Sequence, residues 1–198
     1  MIKKSEKTKL FILEKARPIF NKHGYTGASL SDISKATGLT KGAIYGNFAN
    51  KEELALASFN YNVRYILDKI RMIIKNIHSP LARLYALTNF YREYYKYNID
   101  FGGCPILNVG IDANHTHPKL FTQVKKVFTE LSIGIEKILI DGQNQNEIKL
   151  DINTKLYATR ILSQIEGAIF TATMFQNELY LIDMMNHLDK MIKNELQK

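Results

Sequence analysis

Hydrogen-bonding side chains alternate with glycines in one short stretch of the chain, TKGAIYGN at residues 40–47. Lys41 can donate to the acceptor atoms of guanine, and Asn47 can pair with adenine. Tyr45 carries a hydroxyl suited to a phosphate oxygen. The two glycines stand four residues apart, so in a helix they keep one side slim. These residue types at this spacing predict a helix that approaches nucleotide edges closely.

Further donors flank this stretch. Lys51 stands at a helix start, where backbone amides and an ammonium group can hold a phosphate. Hydroxyl groups before and within the stretch add neutral donors. The predicted DNA-contacting set is Ser31, Thr40, Lys41, Gly42, Ala43, Tyr45, Gly46, Asn47 and Lys51. An alternative interpretation is that the glycines allow close packing against a neighbouring helix, with Tyr45 in the core.

Other chemistry-bearing residues lack the patterns that catalysis or metal binding requires. The chain has no G-x-S-x-G, no glycine-rich phosphate loop after a strand and no H-E-x-x-H. Asp112 and Glu166 are not marked as catalytic by any motif. His115 and His117 form an HxH pair without a convergent Cys, Asp or Glu set to complete a metal site. We therefore expect no enzyme activity, no metal and no cofactor.

Helical periodicity runs through the whole chain, and strand signals are nearly absent. An all-α fold of about nine helices is therefore predicted. The expected spans are about 5–22, 30–37, 41–48, 51–76, 81–97, 105–113, 118–141, 154–176 and 178–196, with a polar loop at 143–153.

Capping signals set the boundaries of the two short helices that hold the stretch. Ser29 and Asp32 have the spacing of a capping box at the start of the second helix. Gly38 ends that helix where a left-handed residue is favoured, and Thr40 caps the third helix. Two short helices joined by such a turn form a helix-turn-helix, whose second helix enters the DNA major groove.

The positive charge is concentrated beside these helices. Of the net charge of +8, residues 1–51 carry +7 and residues 52–198 carry +1. A concentrated positive field attracts polyanions; a solubilising basic tail is the alternative. No apolar run is long enough to span a bilayer, no signal peptide is evident, and Cys104 is the lone cysteine. We expect a cytoplasmic protein with no membrane partner.

Residues 10–56 resemble the DNA-binding domain of the TetR family of bacterial transcriptional regulators. The matching pieces are FNKHGY, SDISKATGLTKGAIYGNF and NKEEL. The resemblance implies a helix-turn-helix domain at 1–50 and a larger antiparallel helical domain for effector binding and dimerisation at 51–198. It also implies a double-stranded palindromic operator, a small-molecule effector and a homodimer through the last two long helices. Gly46 departs from the family pattern, since many members carry a larger aromatic residue or histidine there.

The C-terminal part of the sequence indicates a ligand site, but with weaker signals than those of the DNA-binding stretch. Residues 102–118 are similar to a segment found in one subset of these regulators, and aromatic side chains lie just upstream. An apolar pocket with a few polar groups would suit such a segment, although core packing explains aromatic residues equally well. The candidate ligand-binding residues are Tyr94, Phe101, Cys104, Asn108 and Glu166.

The predicted function is a DNA-binding regulator, a repressor that an effector releases from its operator. Two alternatives use the same scaffold. Cys104 precedes Pro105 at a helix N-terminus, where a thiol pKa falls, so a redox or electrophile sensor is one alternative. The other is a helical small-molecule-binding adaptor that does not bind DNA.

Overall fold

Nine α-helices make up most of the chain in a computed structural model that describes residues 4–98 and 101–198. They are α1 Lys4–Gly27, α2 Leu30–Thr37, α3 Lys41–Tyr45, α4 Lys51–Ile74, α5 Pro80–Asn98, α6 Pro105–Ala113, α7 Pro118–Asn144, α8 Thr154–Met174 and α9 Leu179–Met191. A π-helical segment, Ile192–Leu196, follows α9. Within the described ranges the extended pairing is a single isolated bridge between Ile148 and Gln197. The predicted all-α fold is confirmed.

The chain divides into two compact units that do not follow the sequence in order. The first unit comprises Met1–Ile66 and Asp100–Lys125, and the second comprises Leu67–Ile99 and Lys126–Lys198. Helices α4 and α7 therefore contribute residues to both units. The functional division at residues 50 and 51 stays a prediction, because α6 and the start of α7 group with the N-terminal helices.

The first unit is built around a small apolar core. Its buried side chains come from α1 to α4: Ile12, Ala16, Phe20, Ala28, Ile33, Ile44, Phe48, Leu54 and Ala55. The backbone of α1 leaves helical geometry at Gly24, where φ is 68°. A Cβ at Gly24 would lie 2.7 Å from Cγ of Asp112 in α6. Glycine is therefore required here by both backbone geometry and space.

The second unit packs α5, α8 and α9 together. Polar contacts join α5 to α9: the hydroxyl of Thr88 donates to Asp189 at 2.6 Å, and Arg92 pairs with the same carboxylate. Buried side chains fill the unit, among them Leu84, Leu139, Ile148, Ile161, Leu162, Ile165, Leu181 and Met185. The end of α7 is also fixed by packing, since a Cβ at Gly142 would lie 2.5 Å from Cδ1 of Ile148.

Most predicted helix ends lie within two residues of the observed ones, but α1 extends to Gly27 instead of residue 22 and α9 ends at Met191 instead of residue 196. The predicted spans of α2 and α6 match the observed ones. The third helix ends at Tyr45 instead of Phe48, and α7 continues through Gln143 and Asn144, which were expected in a loop. In the part of the chain that the structure describes, no helix is long and apolar enough to cross a membrane.

Candidate nucleic-acid interface and ligand cavity

Local hydrogen bonds fix the turn between α2 and α3. Ser29 Oγ accepts from the backbone N–H of Asp32 at 3.1 Å, and the Asp32 carboxylate accepts from the backbone N–H of Ser29 at 3.2 Å. Gly38 takes the left-handed conformation with φ 69°, and its N–H donates to the Ser34 carbonyl at 2.9 Å. Thr40 Oγ1 then accepts from the N–H of Ala43 at 3.2 Å. The predicted caps of both helices are confirmed.

The Asp32 carboxylate is held in its charged form by this box. Hydrogen bonds from the Ser29 side chain and backbone lower the pKa of Asp32, and nearby Lys35 and His23 lower it further. A negative charge in the first turn of α2 also interacts favourably with the positive end of the helix dipole. Electrostatics as well as hydrogen bonds therefore stabilise the N-terminus of α2.

One face of α3 is anchored and the other is exposed. Ile44 is fully buried and Phe48 nearly so, and both pack with Ile33 of α2 in the first unit's core. The opposite face is open to solvent. Its exposed members are Lys41, Gly42, Ala43, Tyr45 and Gly46, with Asn47 half-buried.

Gly42 of α3 and Gly46, which caps its C-terminus, are not explained by packing among the described residues. A Cβ at Gly42 would meet only Thr40 Oγ1, at 3.9 Å, and a Cβ at Gly46 would meet two carbonyl oxygens at 3.5 Å. Both are ordinary contact distances, and Gly46 has an α-helical φ of −67°. Tyr45 is 44% exposed. The alternative of helix packing with Tyr45 in the core is therefore wrong for the described residues.

The remaining polar residues of the set take specific positions around α3. Asn47 Nδ2 donates to the Ala43 carbonyl one turn back at 2.9 Å. Lys51 lies at the start of α4 with Nζ 4.5 Å from the centroid of the Tyr25 ring, a cation–π distance. Ser31 is half-buried in the first turn of α2. All nine residues of the predicted set lie in the first unit, on α2, α3 and their flanks.

Two of the five predicted ligand residues, Phe101 and Asn108, hold the segment before α6 against α1. Asn108 Nδ2 donates to the Gly102 carbonyl at 2.6 Å and to the Asn21 carbonyl at 3.1 Å. Asn21 Nδ2 in turn donates to the carbonyls of Gly103, at 3.0 Å, and Phe101. The Phe101 ring lies 4.5 Å from the guanidinium of Arg17. These contacts give Phe101 and Asn108 a local structural role within the first unit.

Cys104 is the N-cap residue of α6 and is 5% exposed. Its side chain makes no capping hydrogen bond to the helix. A thiol that reacts with oxidants or electrophiles is normally accessible, so the geometry does not favour the sensor alternative. His117, one of the HxH pair, packs its ring 3.8 Å from the ring of Tyr25.

Tyr94 and Glu166 belong to the second unit. Tyr94 is nearly fully buried, with its ring 5.5 Å from that of Tyr91 and 5.9 Å from that of Phe90. Glu166 is buried in α8. The structure therefore separates the five residues into two groups, one in each unit.

A cavity of about 400 Å³ lies within the second unit, between α4, α5, α7 and α8. None of the five predicted ligand residues lines it. Its apolar lining consists of Leu67, Ile70, Ile74, Leu87, Tyr91, Leu131, Ile135, Ile138, Leu162 and Ile165. Its charged lining consists of Arg71, Arg83, Glu130, Lys137 and Asp141.

Sequence reasoning missed this cavity because four separate helices build it. One signal was available in the sequence: Gly134 interrupts the apolar face of α7. A glycine inside a helix costs about 1 kcal/mol relative to alanine. A Cβ at Gly134 would meet no atom within 4 Å, so packing does not require glycine there.

Comparison with known proteins agrees with this architecture. Residues 12–58 match the family of bacterial regulatory proteins of the TetR type, and residues 80–188 match the tetracyclin repressor-like C-terminal domain. A TetR-family regulator from Cytophaga hutchinsonii superposes with a TM-score of 0.92 at 30% identity, over 100% of this chain and 98% of that one. A TetR regulator from Chloroflexus aurantiacus gives a TM-score of 0.93 at 30% identity, over 99% of each chain.

A relative with a named regulatory role shows the same relationship in sequence. The transcriptional repressor DhaR of Mycobacterium sp. (strain GP1) is 24% identical over 166 residues, which is 84% of this chain and 82% of that protein. The resemblance seen in the sequence is confirmed over both parts of the chain. The protein belongs to the TetR family of DNA-binding transcriptional regulators.

Proposed function

We propose that this protein is a repressor that binds a palindromic operator as a homodimer and leaves it when a small molecule occupies the cavity of the second unit. Regulation rather than catalysis is its function, and the cytoplasm is where it meets DNA. The observation that carries the proposal is the exposed face of α3. The rest of the chain leaves room for side chains at both glycines. We therefore infer that contact with another molecule is the reason why this face carries none there.

The α3 face suits the major groove of DNA. The groove is about 12 Å wide and admits a helix whose outer side is small or hydrogen-bonding. Lys41 offers donors to guanine, and Asn47 keeps its amide oxygen available while its nitrogen bonds to Ala43. Tyr45 and Lys51 flank the face and take phosphate oxygens. In this proposal Lys51 leaves the Tyr25 ring to reach the backbone.

Dimerisation through α8 and α9 is supported by a group of exposed apolar side chains on these helices and the turn between them. They are Phe170, Met174, Phe175, Leu179 and Tyr180. Gly167 adds an open position on α8, where a Cβ would meet no atom within 4 Å. Small and large apolar residues together allow close helix approach in a four-helix interface between two copies.

Release of DNA by the effector follows from coupling between the DNA-binding surface and the effector cavity. A ligand that prefers one dimer geometry shifts the population away from the geometry in which both α3 helices match successive major grooves. Such coupling is typically about 1–3 kcal/mol and is reciprocal. DNA must therefore weaken effector binding by the same factor.

Selection from random DNA followed by gel shift tests the proposal. We expect an enriched inverted repeat and a binding constant that falls steeply between about 50 and 200 mM salt. Lys41→Gln should reduce affinity for the selected site, whereas Lys155→Gln, an equal charge loss on the exposed start of α8, should leave it nearly unchanged. A failure to enrich any repeat, with a flat salt response, would contradict the proposal and favour an adaptor without DNA binding.

A further inference from the structure

We propose that the cavity of the second unit takes an amphipathic anion, with an apolar body inside and an acidic head group at Arg83. This inference rests on the proposed function, because it names the chemical class of the effector. It is carried by the shape of the apolar chamber and by the unused hydrogen-bonding capacity of one half-buried guanidinium.

The chamber suits an apolar body of small-molecule size. Its volume of about 400 Å³ lies in the range of about 300–1,000 Å³ typical of ligand sites. Ile70, Leu87, Leu162 and Ile165 supply buried apolar walls. Gly134 leaves open space at the α7 wall. A helix that accepts the cost of an interior glycine without a packing reason is consistent with a wall shaped for an occupant.

Arg83 is held in place but is not saturated. Its Nε donates to the Ile77 carbonyl at 2.7 Å, which orients the guanidinium. Its Nη1 lies 3.8 Å from the Asp141 carboxylate, beyond hydrogen-bond distance. Among the described residues neither Nη atom has a hydrogen-bond acceptor. A guanidinium carries five N–H donors in a planar fork that fits carboxylate, sulfonate or phosphate oxygens. Four of those donors remain for a ligand.

The unused donors of Arg83 are accessible to an entering ligand. The Arg83 side chain is 27% exposed and that of Asp141 is 33% exposed. An acidic head group that displaces solvent here would form charge-assisted hydrogen bonds with these donors. Asp141 offsets part of the charge of Arg83, but at 3.8 Å it does not satisfy the N–H groups. An entering anion would satisfy them and would compete with Asp141 for the guanidinium.

The other charged groups of the lining favour an anion as well. Lys137 has no hydrogen bond or ion pair with any described residue, so its ammonium is available. Arg71 pairs with Asp68 outside the lining, at 3.0 Å between exposed side chains. Glu130 lies 4.0 Å from Lys126. The lining therefore carries three cations and two carboxylates. Of its two arginines, Arg83 is the less exposed.

Two dyes that share an apolar body distinguish the contribution of the head group to binding from the contribution of the apolar chamber. 1-Anilinonaphthalene-8-sulfonate carries a sulfonate, and N-phenyl-1-naphthylamine is its neutral counterpart. In fluorescence titrations of the full chain we expect the sulfonate to bind at one site per chain and about 10-fold more tightly than the neutral dye.

Substitutions at three positions of the lining assign the site. Arg83→Gln should weaken sulfonate binding about 10-fold and leave the neutral dye unchanged. Asp141→Asn should strengthen sulfonate binding, because it removes the competing carboxylate. Gly134→Ala and Gly134→Phe should weaken both dyes progressively by filling the chamber, while circular dichroism shows the fold retained. Lys155→Gln, an exposed cation outside the lining, is the control for charge loss and should change neither dye.

The outcomes separate this inference from the proposed function. Equal binding of both dyes, or weaker sulfonate binding after Asp141→Asn, would overturn the anion assignment and favour a neutral or cationic ligand. Sulfonate binding that survives both Arg83→Gln and Gly134→Phe would also overturn it, since the dye then lies elsewhere. Each of these results leaves operator selection intact. Loss of operator selection alone would instead contradict the proposed function.

Discussion

The Asp112 carboxylate of α6 accepts a hydrogen bond from the backbone N–H of Tyr25 at 2.7 Å. The same oxygen lies 3.4 Å from the N–H of Thr26. These amides follow Gly24, where α1 breaks, and they would otherwise lack helical partners. One carboxylate therefore caps the last turn of α1 from another helix of the first unit.

Removing this carboxylate should destabilise the protein. Hydrogen bonds to charged groups contribute about 1.5–3 kcal/mol, so Asp112→Ala should lower the free energy of unfolding by about 1–3 kcal/mol. Urea denaturation measures the change. Asp151→Ala, which removes an exposed carboxylate from a turn, is the matched control and should alter stability by less than about 0.5 kcal/mol. Equal effects of the two substitutions would show that the Asp112 cap contributes nothing.

The capping box of α2 should make stability depend on pH. The folded-state pKa of Asp32 lies below its ordinary value of 3.8, mainly because Ser29 donates to the charged form. A depressed carboxyl pKa stabilises the fold above the unfolded pKa, and that contribution is lost as pH falls through the folded pKa. Asp32→Asn should therefore be less stable than the parent at about pH 6, with the difference shrinking towards about pH 2. A difference that stays constant over this range would contradict the assignment.

Lys51 should contribute one ionic contact to DNA. Each phosphate neutralised by a cation adds about 0.9 to the slope of log binding constant against log salt concentration. Lys51→Gln should reduce the slope measured on the selected operator by about this amount and weaken binding with little change in sequence preference. Lys155→Gln serves as the control. An unchanged slope would mean that Lys51 remains over the Tyr25 ring in the complex.

The exposed apolar side chains of α8, α9 and their turn should control assembly. Phe175 is 64% exposed and stacks on Tyr180 with ring centroids 5.2 Å apart. Phe175→Glu places a charge in the proposed interface, so sedimentation should show a shift from dimer to monomer. Leu150→Glu alters a side chain that is 73% exposed but lies before α8, and it should leave the dimer intact. A dimer that tolerates Phe175→Glu would place the interface elsewhere.

Local signals explain how much of this fold could be predicted from the sequence. Ser29, Gly38 and Thr40 act on neighbouring backbone groups, so their caps were visible as short-range patterns. The start of α4 is also held by short-range bonds: Asn50 Oδ1 accepts from the N–H of Glu53 at 2.8 Å. The Glu53 carboxylate accepts from the N–H of Ala49 at 2.6 Å.

Long-range contacts explain what the sequence left open. Asn108 bonds to the Asn21 carbonyl across 87 positions, and no short pattern indicates such a pairing. The cavity has the same origin, because α4, α5, α7 and α8 each supply part of its wall. Periodicity identified which faces of these helices are apolar, but the packing of the helices decides which apolar residues leave a space between them.

The slim face of α3 is tested most directly by adding a side chain at Gly42 and measuring operator affinity beside stability. Because a Cβ there meets nothing closer than 3.9 Å, Gly42→Leu should leave the free energy of unfolding unchanged or slightly higher. Operator affinity should fall by about 100-fold, since the leucine occupies the groove side of the helix. Thr122→Leu, the same side chain on an exposed position of α7, should bind as the parent does. Full operator affinity in a stable Gly42→Leu protein would contradict the assignment of α3 as the element that enters the groove.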